Sequence, residues 1–63
     1  MSFEKNLQNL MKKKQVTNYR LAKNLCVSAT TVGYWVSGKN QPDLASAMKL
    51  AEYFGVTVEA LMK

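Results

Sequence analysis

The strongest constraint on the fold is the spacing of the apolar residues, which follows a helical period along nearly all of the 63 residues. In the first segment Phe3, Leu7, Leu10 and Met11 recur at i, i+4, i+7 and i+8, which predicts an amphipathic helix over residues 3–14. No segment alternates with the period of two that a half-buried strand requires. The chain is therefore predicted to be all-α, and its length allows one small domain over residues 1–63.

Start and stop residues predict five short helices. Ser, Thr and Asp side chains accept hydrogen bonds from the first turn of a helix, and Gly accommodates the left-handed residue that follows its end. The expected caps are Ser2, Thr17, Ser28, Asp43 and Thr57, and the expected stops include Gly38 and Gly55. The last helix is expected to run through Lys63.

The same spacing predicts which residues are buried. The fourth helix is expected to bury Leu44, Ala47, Leu50, Ala51 and Phe54. Tyr19 and Tyr53 are expected to be partly buried.

The charge is unevenly distributed. The net charge is +5, and between Lys5 and Pro42 there are seven basic residues and no acidic one. The segment from Asp43 to Lys63 has three acidic residues and two lysines. A basic half without acids favours a polyanionic partner, nucleic acid first and an anionic membrane surface second. A solvated basic face remains the alternative.

The second helix and the third, which is predicted over residues 28–37, are separated by about three residues and fit a helix-turn-helix. Ala22 is small enough for the crossing of the two helices, and Val27 is apolar enough to fill the turn. Val32 and Trp35 would anchor the third helix, which turns the opposite face outward. That outward face holds Ala29, Thr30, Gly33, Tyr34 and Ser37. It has no charge and no long aliphatic side chain, so the helix backbone could lie deep in a major groove, which is just wide enough to admit a helix.

These residues resemble the Cro/phage-repressor (XRE-like) helix-turn-helix family from about Leu10 to Met62. The matching segments are "VTNYRLAKNLCVSATTVGYWVSGKNQP" and "LASAMKLAEYFGVTVEALM". The resemblance implies a compact five-helix, lambda-repressor-like domain that binds double-stranded operator DNA as a transcriptional repressor of phage or mobile-element origin. It implies cytoplasmic localisation in a bacterial or phage-infected host. An antitoxin or restriction-controller regulator, or a protein-interaction module of the same fold, are the alternatives.

Several positions depart from the family pattern. Cys26 stands in the turn where the family usually has Gly, so either a strained left-handed cysteine or a different turn is expected. Asn18 replaces a frequent Gln, and Val36 replaces the Glu that often follows the Trp. The outward residues of the third helix are short where the family commonly has long amide or basic side chains. The mode of base reading is therefore expected to differ.

The candidate site residues follow from the outward face and from the resemblance. Short side chains and hydroxyls can contact thymine methyl groups and base edges, and residues at helix starts and in basic loops can contact phosphates. The predicted base-reading residues are Ala29, Thr30, Gly33 and Tyr34, and the predicted phosphate contacts are Asn18, Thr31, Lys39 and Asn40.

Enzymatic activity is not expected. The chain has one Cys and no His, so neither a nucleophile–base arrangement nor a Cys/His zinc site is available. No catalytic residue, cofactor, metal or small-molecule ligand is predicted. Cys26 is expected to be a packed turn residue beneath the third helix rather than a redox centre. No apolar run is long enough for a membrane span.

The segment "VTVEALM" contains more apolar residues than one short helix can turn inward. Part of this surface is therefore predicted to pair with a second subunit, and the family resemblance supports a weak homodimer through this end. The alternative is that the segment only closes the core. The predicted interface residues are Val56, Val58, Leu61 and Met62.

Overall fold

The structure, a computed structural model, describes residues 3–62. All regular structure in this range is helical: α1 (Phe3–Lys14), α2 (Asn18–Leu25), α3 (Ala29–Ser37), α4 (Leu44–Phe54) and α5 (Val58–Met62). The predicted all-α, five-helix fold is confirmed. The expected cap Ser2 and the expected last helical residue Lys63 lie outside the described residues.

Side-chain oxygens cap the starts of α2 to α5. Thr17 Oγ1 accepts a hydrogen bond from the N–H of Arg20 at 3.1 Å, and Asp43 Oδ1 accepts one from Ser46 at 2.9 Å. Ser28 and Thr57 do the same for α3 and α5. Each bond satisfies one backbone N–H that the helix cannot satisfy itself. The four predicted caps in the described range are confirmed.

The ends of α1 to α4 share one left-handed geometry. Gly38 and Gly55 have φ of 80° and 69°, and the non-glycine residues Gln15 and Cys26 have φ of 57° and 59°. After α2, Val27 N–H donates to Ala22 O at 3.0 Å, which closes the turn as in a Schellman motif. Cys26 therefore adopts the strained left-handed conformation and not a different turn. Gln15 does so too, although no residue pattern predicted it.

The core lies where α1, α2 and α3 meet the later pair α4 and α5. Five side chains in this core are fully buried: Leu7, Leu21, Val32, Leu50 and Leu61. Helix α3 packs on both α1 and α2, while α5 packs on α1 and α4. The pair α2–α3 is thus packed against the core on one side, which leaves one face of α3 uncovered.

Three burial predictions are wrong. Leu44 is 71% exposed because it is the first residue of α4, and the core does not extend to the first turn of that helix. Tyr19 is 70% exposed because it lies about 120° around α2 from buried Leu25. Cys26 is exposed because the left-handed turn directs its side chain outward, not beneath α3.

No helix within residues 3–62 combines the length and the apolar character needed to cross a membrane.

Candidate nucleic-acid interface

Helix α3 is fixed by its two buried residues, its cap and its end. Val32 is fully buried and Trp35 is 3% exposed, so these two side chains anchor the helix to the core. Ser28 Oγ accepts from the N–H of Thr31 at 3.1 Å at the start, and Gly38 ends the helix in a left-handed turn. The opposite side of α3 faces solvent along its whole length.

The four predicted base-reading residues share this outward side. Ala29 and Thr30 are exposed, Gly33 is half-buried and Tyr34 is 39% exposed. At 100° per residue they span an arc of about 140°. A Cβ placed on Gly33 would meet no atom within 4 Å, so the helix backbone is openly accessible at this point. A nucleic-acid groove could approach closely here without displacing protein atoms.

The predicted phosphate contacts lie on three elements around α3. Asn18 is the exposed first residue of α2, and Lys39 and Asn40 follow Gly38 in the loop after α3. Thr31 and Asn40 come together in one open, polar depression between α3 and α4. That depression is completed by Trp35, Gln41, Pro42, Asp43 and Ser46. The sequence prediction had not brought Gln41 or Ser46 into this surface.

The hydroxyl of Thr31 belongs to the cap of α3. Ser28 Oγ and Thr31 Oγ1 lie 2.8 Å apart, and either can be the donor. Ser28 Oγ already accepts from the N–H of Thr31. When the Ser28 hydroxyl donates to Thr31, the hydrogen of the Thr31 hydroxyl is left for a phosphate oxygen.

Lys39 and Tyr34 form a cation–π pair. The Lys39 ammonium nitrogen lies 5.4 Å from the centre of the Tyr34 ring. Such a pair at an exposed site is worth about 0.5–1 kcal/mol. It places a predicted phosphate contact beside a predicted base contact, so the two side chains limit each other's orientation.

Asp43 is the one acidic residue in the depression. Hydrogen bonds from the Ser46 side chain and from the Ser46 backbone N–H lower the pKa of the Asp43 carboxyl below its usual value. The carboxylate is therefore ionised at neutral pH and is engaged at the start of α4, where the positive end of the helix dipole favours it.

Two α1 side chains that the sequence analysis did not select reach the end of α3. Gln8 Nε2 donates to Val36 O at 2.7 Å. The Glu4 carboxylate lies so close to Gly38 that a Cβ there would collide with it. Nothing in the sequence pattern identifies these contacts. The helical period predicts which face of α1 is buried, but not which residues the polar side chains beside that face contact.

The predicted dimer segment packs largely on its own core. Leu61 is fully buried, so its side chain is not available to a partner. Val56, Val58 and Met62 are half-buried against the core and keep part of their apolar surface in solvent.

Comparison with known proteins places this geometry among transcriptional regulators. The model of the helix-turn-helix family matches residues 7–61. The chain is 37% identical over 62 residues, or 98% of its length, to the HTH-type transcriptional activator BcrR of Enterococcus faecalis. The family and this relative are regulators, which agrees with the expectation that the chain is not an enzyme.

Two solved structures share the fold. A transcriptional regulator from Listeria innocua superimposes with a TM-score of 0.91 over 97% of this chain, at 34% identity. The SOS-response transcriptional repressor LexA from Eubacterium rectale superimposes with a TM-score of 0.92 over 97% of this chain, at 30% identity. The chain spans 57% and 65% of these two proteins and 30% of the length of BcrR.

Proposed function

The chain belongs to the helix-turn-helix family, and on that premise we propose that it binds a specific sequence of double-stranded DNA and regulates transcription there. The observation that carries the proposal is the outward face of α3, which is uncharged, has short side chains apart from Tyr34 and is open at Gly33. A helix of this kind fits the major groove, where each base pair presents a distinct pattern of donors and acceptors.

The roles of the residues follow from their positions. Ala29, Thr30, Gly33 and Tyr34 face the base edges, with Ala29 and Thr30 suited to thymine methyl groups. The phosphate contacts flank them on both sides and fix the register of α3 in the groove. They are Asn18, Thr31, Lys39 and Asn40.

We further propose a repressor of the phage or mobile-element type, acting in the cytoplasm of its bacterial host. Repression needs only occupancy of the site by the chain, so it requires no surface beyond the one described. The comparisons include one protein named an activator and one named a repressor. A reporter gene under the selected site decides the direction: expression falls if the chain represses and rises if it activates.

We also propose that the chain forms a weak homodimer through the surface that Val56, Val58 and Met62 leave in solvent. A two-fold dimer would place two copies of α3 one helical turn of DNA apart, on a site with two-fold sequence symmetry.

The proposal is tested by selecting bound duplexes from a random DNA pool and then titrating the selected duplex against salt. We expect enrichment of one sequence motif. With about four to six phosphates neutralised per domain, the logarithm of the binding constant should fall with the logarithm of salt at a slope of about −4 to −5.

Two results would contradict the proposal. Binding that does not change with salt would remove DNA as the main partner, because the basic residues would then make no phosphate contacts. Salt-dependent binding without an enriched motif would leave a non-specific DNA-binding protein. A chain with no affinity for DNA would instead favour the protein-interaction module.

A further inference from the structure

The end of α3 is held by a residue from another helix. The last carbonyls of a helix have no partner within it, and other groups must satisfy them. Here Tyr34 O accepts from Lys39 N–H at 2.9 Å and Trp35 O from Gly38 N–H at 3.3 Å, both within the turn. Val36 O is different, because it accepts from Gln8 Nε2 of α1, at 2.7 Å.

Helix α1 is a firm support for this bond. Phe3, Leu7 and Met11 are all buried, at 4%, 0% and 7% exposure, and hold α1 against the core. Glu4 lies one turn before Gln8, and its carboxylate packs onto Gly38 just beyond the end of α3. The border of α1 that carries Glu4 and Gln8 therefore faces the C-terminal end of α3.

The position of this end matters for contact with bases. A helix of nine residues is about 13 Å long, so a tilt of about 5° about its N-terminus moves its other end by about 1 Å. A displacement of that size turns a hydrogen bond of about 2.9 Å into a distance at which the bond is lost. Gly33, Tyr34 and the loop that carries Lys39 all lie toward this end.

We infer that Gln8 is a positioning residue for DNA recognition: by binding Val36 O, it fixes the tilt of α3 and with it the sequence preference of the chain. The inference rests on the proposed function. Gln8 acts through Val36 and needs no contact with DNA. The bond joins a neutral amide to a backbone carbonyl, so its strength does not depend on the charges that attract DNA.

The chain contains a matched control for this bond. Asn6, two residues before Gln8 on α1, donates from Nδ2 to Leu61 O at 2.9 Å. This bond also joins a side-chain amide of α1 to a carbonyl near the end of another helix, but that helix is α5. Loss of either bond should lower the thermal midpoint, whereas only loss of the Gln8 bond should disturb α3.

The experiment compares Gln8→Met and Asn6→Leu, each close in shape to the parent residue and unable to donate. The readout is the ratio of affinities for a single half-site of the duplex selected by the parent chain and for a scrambled duplex of the same length, so that a change at the proposed dimer surface of α5 does not enter it. We expect Gln8→Met to lower this ratio about fivefold, the equivalent of about one hydrogen bond. Asn6→Leu should leave the ratio within twofold.

The use of a ratio separates positioning from other roles. A direct phosphate contact by Gln8 would lower both affinities together and leave the ratio unchanged, which would overturn the inference. Equal ratios for Gln8→Met and Asn6→Leu would also overturn it. A parent chain that selects no sequence would overturn the proposed function and the inference together, so the two failures are distinguishable.

A third variant covers the case in which Gln8→Met fails to fold. Gln8→Lys keeps a long side chain with an N–H donor that can reach Val36 O. We expect its ratio of affinities for the selected and the scrambled DNA to stay within twofold of the ratio of the parent chain. A folded Gln8→Lys variant that loses the preference fivefold would overturn the role of the donor.

Discussion

Among the described residues, two that are not glycine hold left-handed backbone, Gln15 at φ 57° and Cys26 at φ 59°. This conformation brings Cβ close to the next carbonyl oxygen and costs about 1–2 kcal/mol for an L-residue. Both residues are exposed and follow the end of a helix, so their side chains offset little of that cost by packing. The turn between α2 and α3 is therefore a strained point beside α3.

We expect Cys26→Gly to raise the free energy of unfolding by about 1 kcal/mol, because glycine relieves the strain of the left-handed conformation. Urea denaturation with an unchanged m-value provides the measurement. Gly55→Ala is the reverse control and should lower the free energy of unfolding. Its φ is 69°, and a Cβ there meets no atom within 4 Å, so only the backbone strain changes. A lower stability of Cys26→Gly would show that the thiol packs better than its exposure indicates.

At Gly33 stability and binding are expected to change in opposite directions. Gly33→Ala should stabilise the fold by up to about 1 kcal/mol, because alanine is the better helix former and its Cβ enters open space. Gly33→Gln should fold but bind the selected duplex more weakly, because its side chain meets the floor of the groove. Thermal melts and affinity for that duplex are the measurements.

The control for Gly33→Gln is Ala45→Gln on the exposed side of α4, which should leave binding unchanged. If Gly33→Gln binds as tightly as the parent, Gly33 does not line the groove.

At the scale of the helices, the sequence predicts the start and stop positions well. Residues 3–14 are helical as predicted, and the caps Thr17, Ser28 and Asp43 make the expected bonds. Such signals are local, because a cap and its partner N–H lie three residues apart. The outward position of the predicted base-reading residues follows from the same periodicity, once Val32 and Trp35 are recognised as anchors.

Contacts between helices could not be predicted in the same way. The exposure of Leu44 depends on how far the core extends toward the first turn of α4, which no local pattern encodes. The bond from Gln8 to Val36 O joins residues 28 positions apart. Its donor is one of several polar residues on α1, and only the crossing of α1 and α3 selects it.

We expect the cap of α4 to make stability depend on pH in acid. The pKa of Asp43 is lower in the folded chain than in the unfolded chain, so its contribution is present at neutral pH and is lost as the pH falls through the folded pKa. Asp43→Asn keeps an oxygen acceptor for the cap but does not titrate. Between about pH 5 and pH 2 it should therefore lose less stability than the parent.

Thermal melts across this pH range provide the measurement, with Glu52→Gln as a control for the loss of one negative charge on α4. If the parent and Asp43→Asn lose stability in parallel, the Asp43 carboxylate does not contribute through its ionisation.

At the scale of the whole molecule, the proposed dimer is expected to depend on α5. Val58→Glu should abolish weak self-association in sedimentation experiments and reduce cooperative binding to a two-fold DNA site, because it places a charge in an apolar contact. Met48→Glu is the matched control, since Met48 is 57% exposed on α4. Loss of association in Met48→Glu alone would place the interface on α4.

Helix α1 contacts both the end of α3 and the end of α5, through residues that are two positions apart. The pair α2–α3 forms from neighbours in sequence, but the contact of Asn6 with Leu61 joins residues 55 positions apart. Closing so long a loop costs more chain entropy than forming a local turn, so the contact between α1 and α5 is expected to form late in folding. The pair α2–α3 is therefore expected to form early, and the contact that joins α1 to α5 is expected to complete the fold.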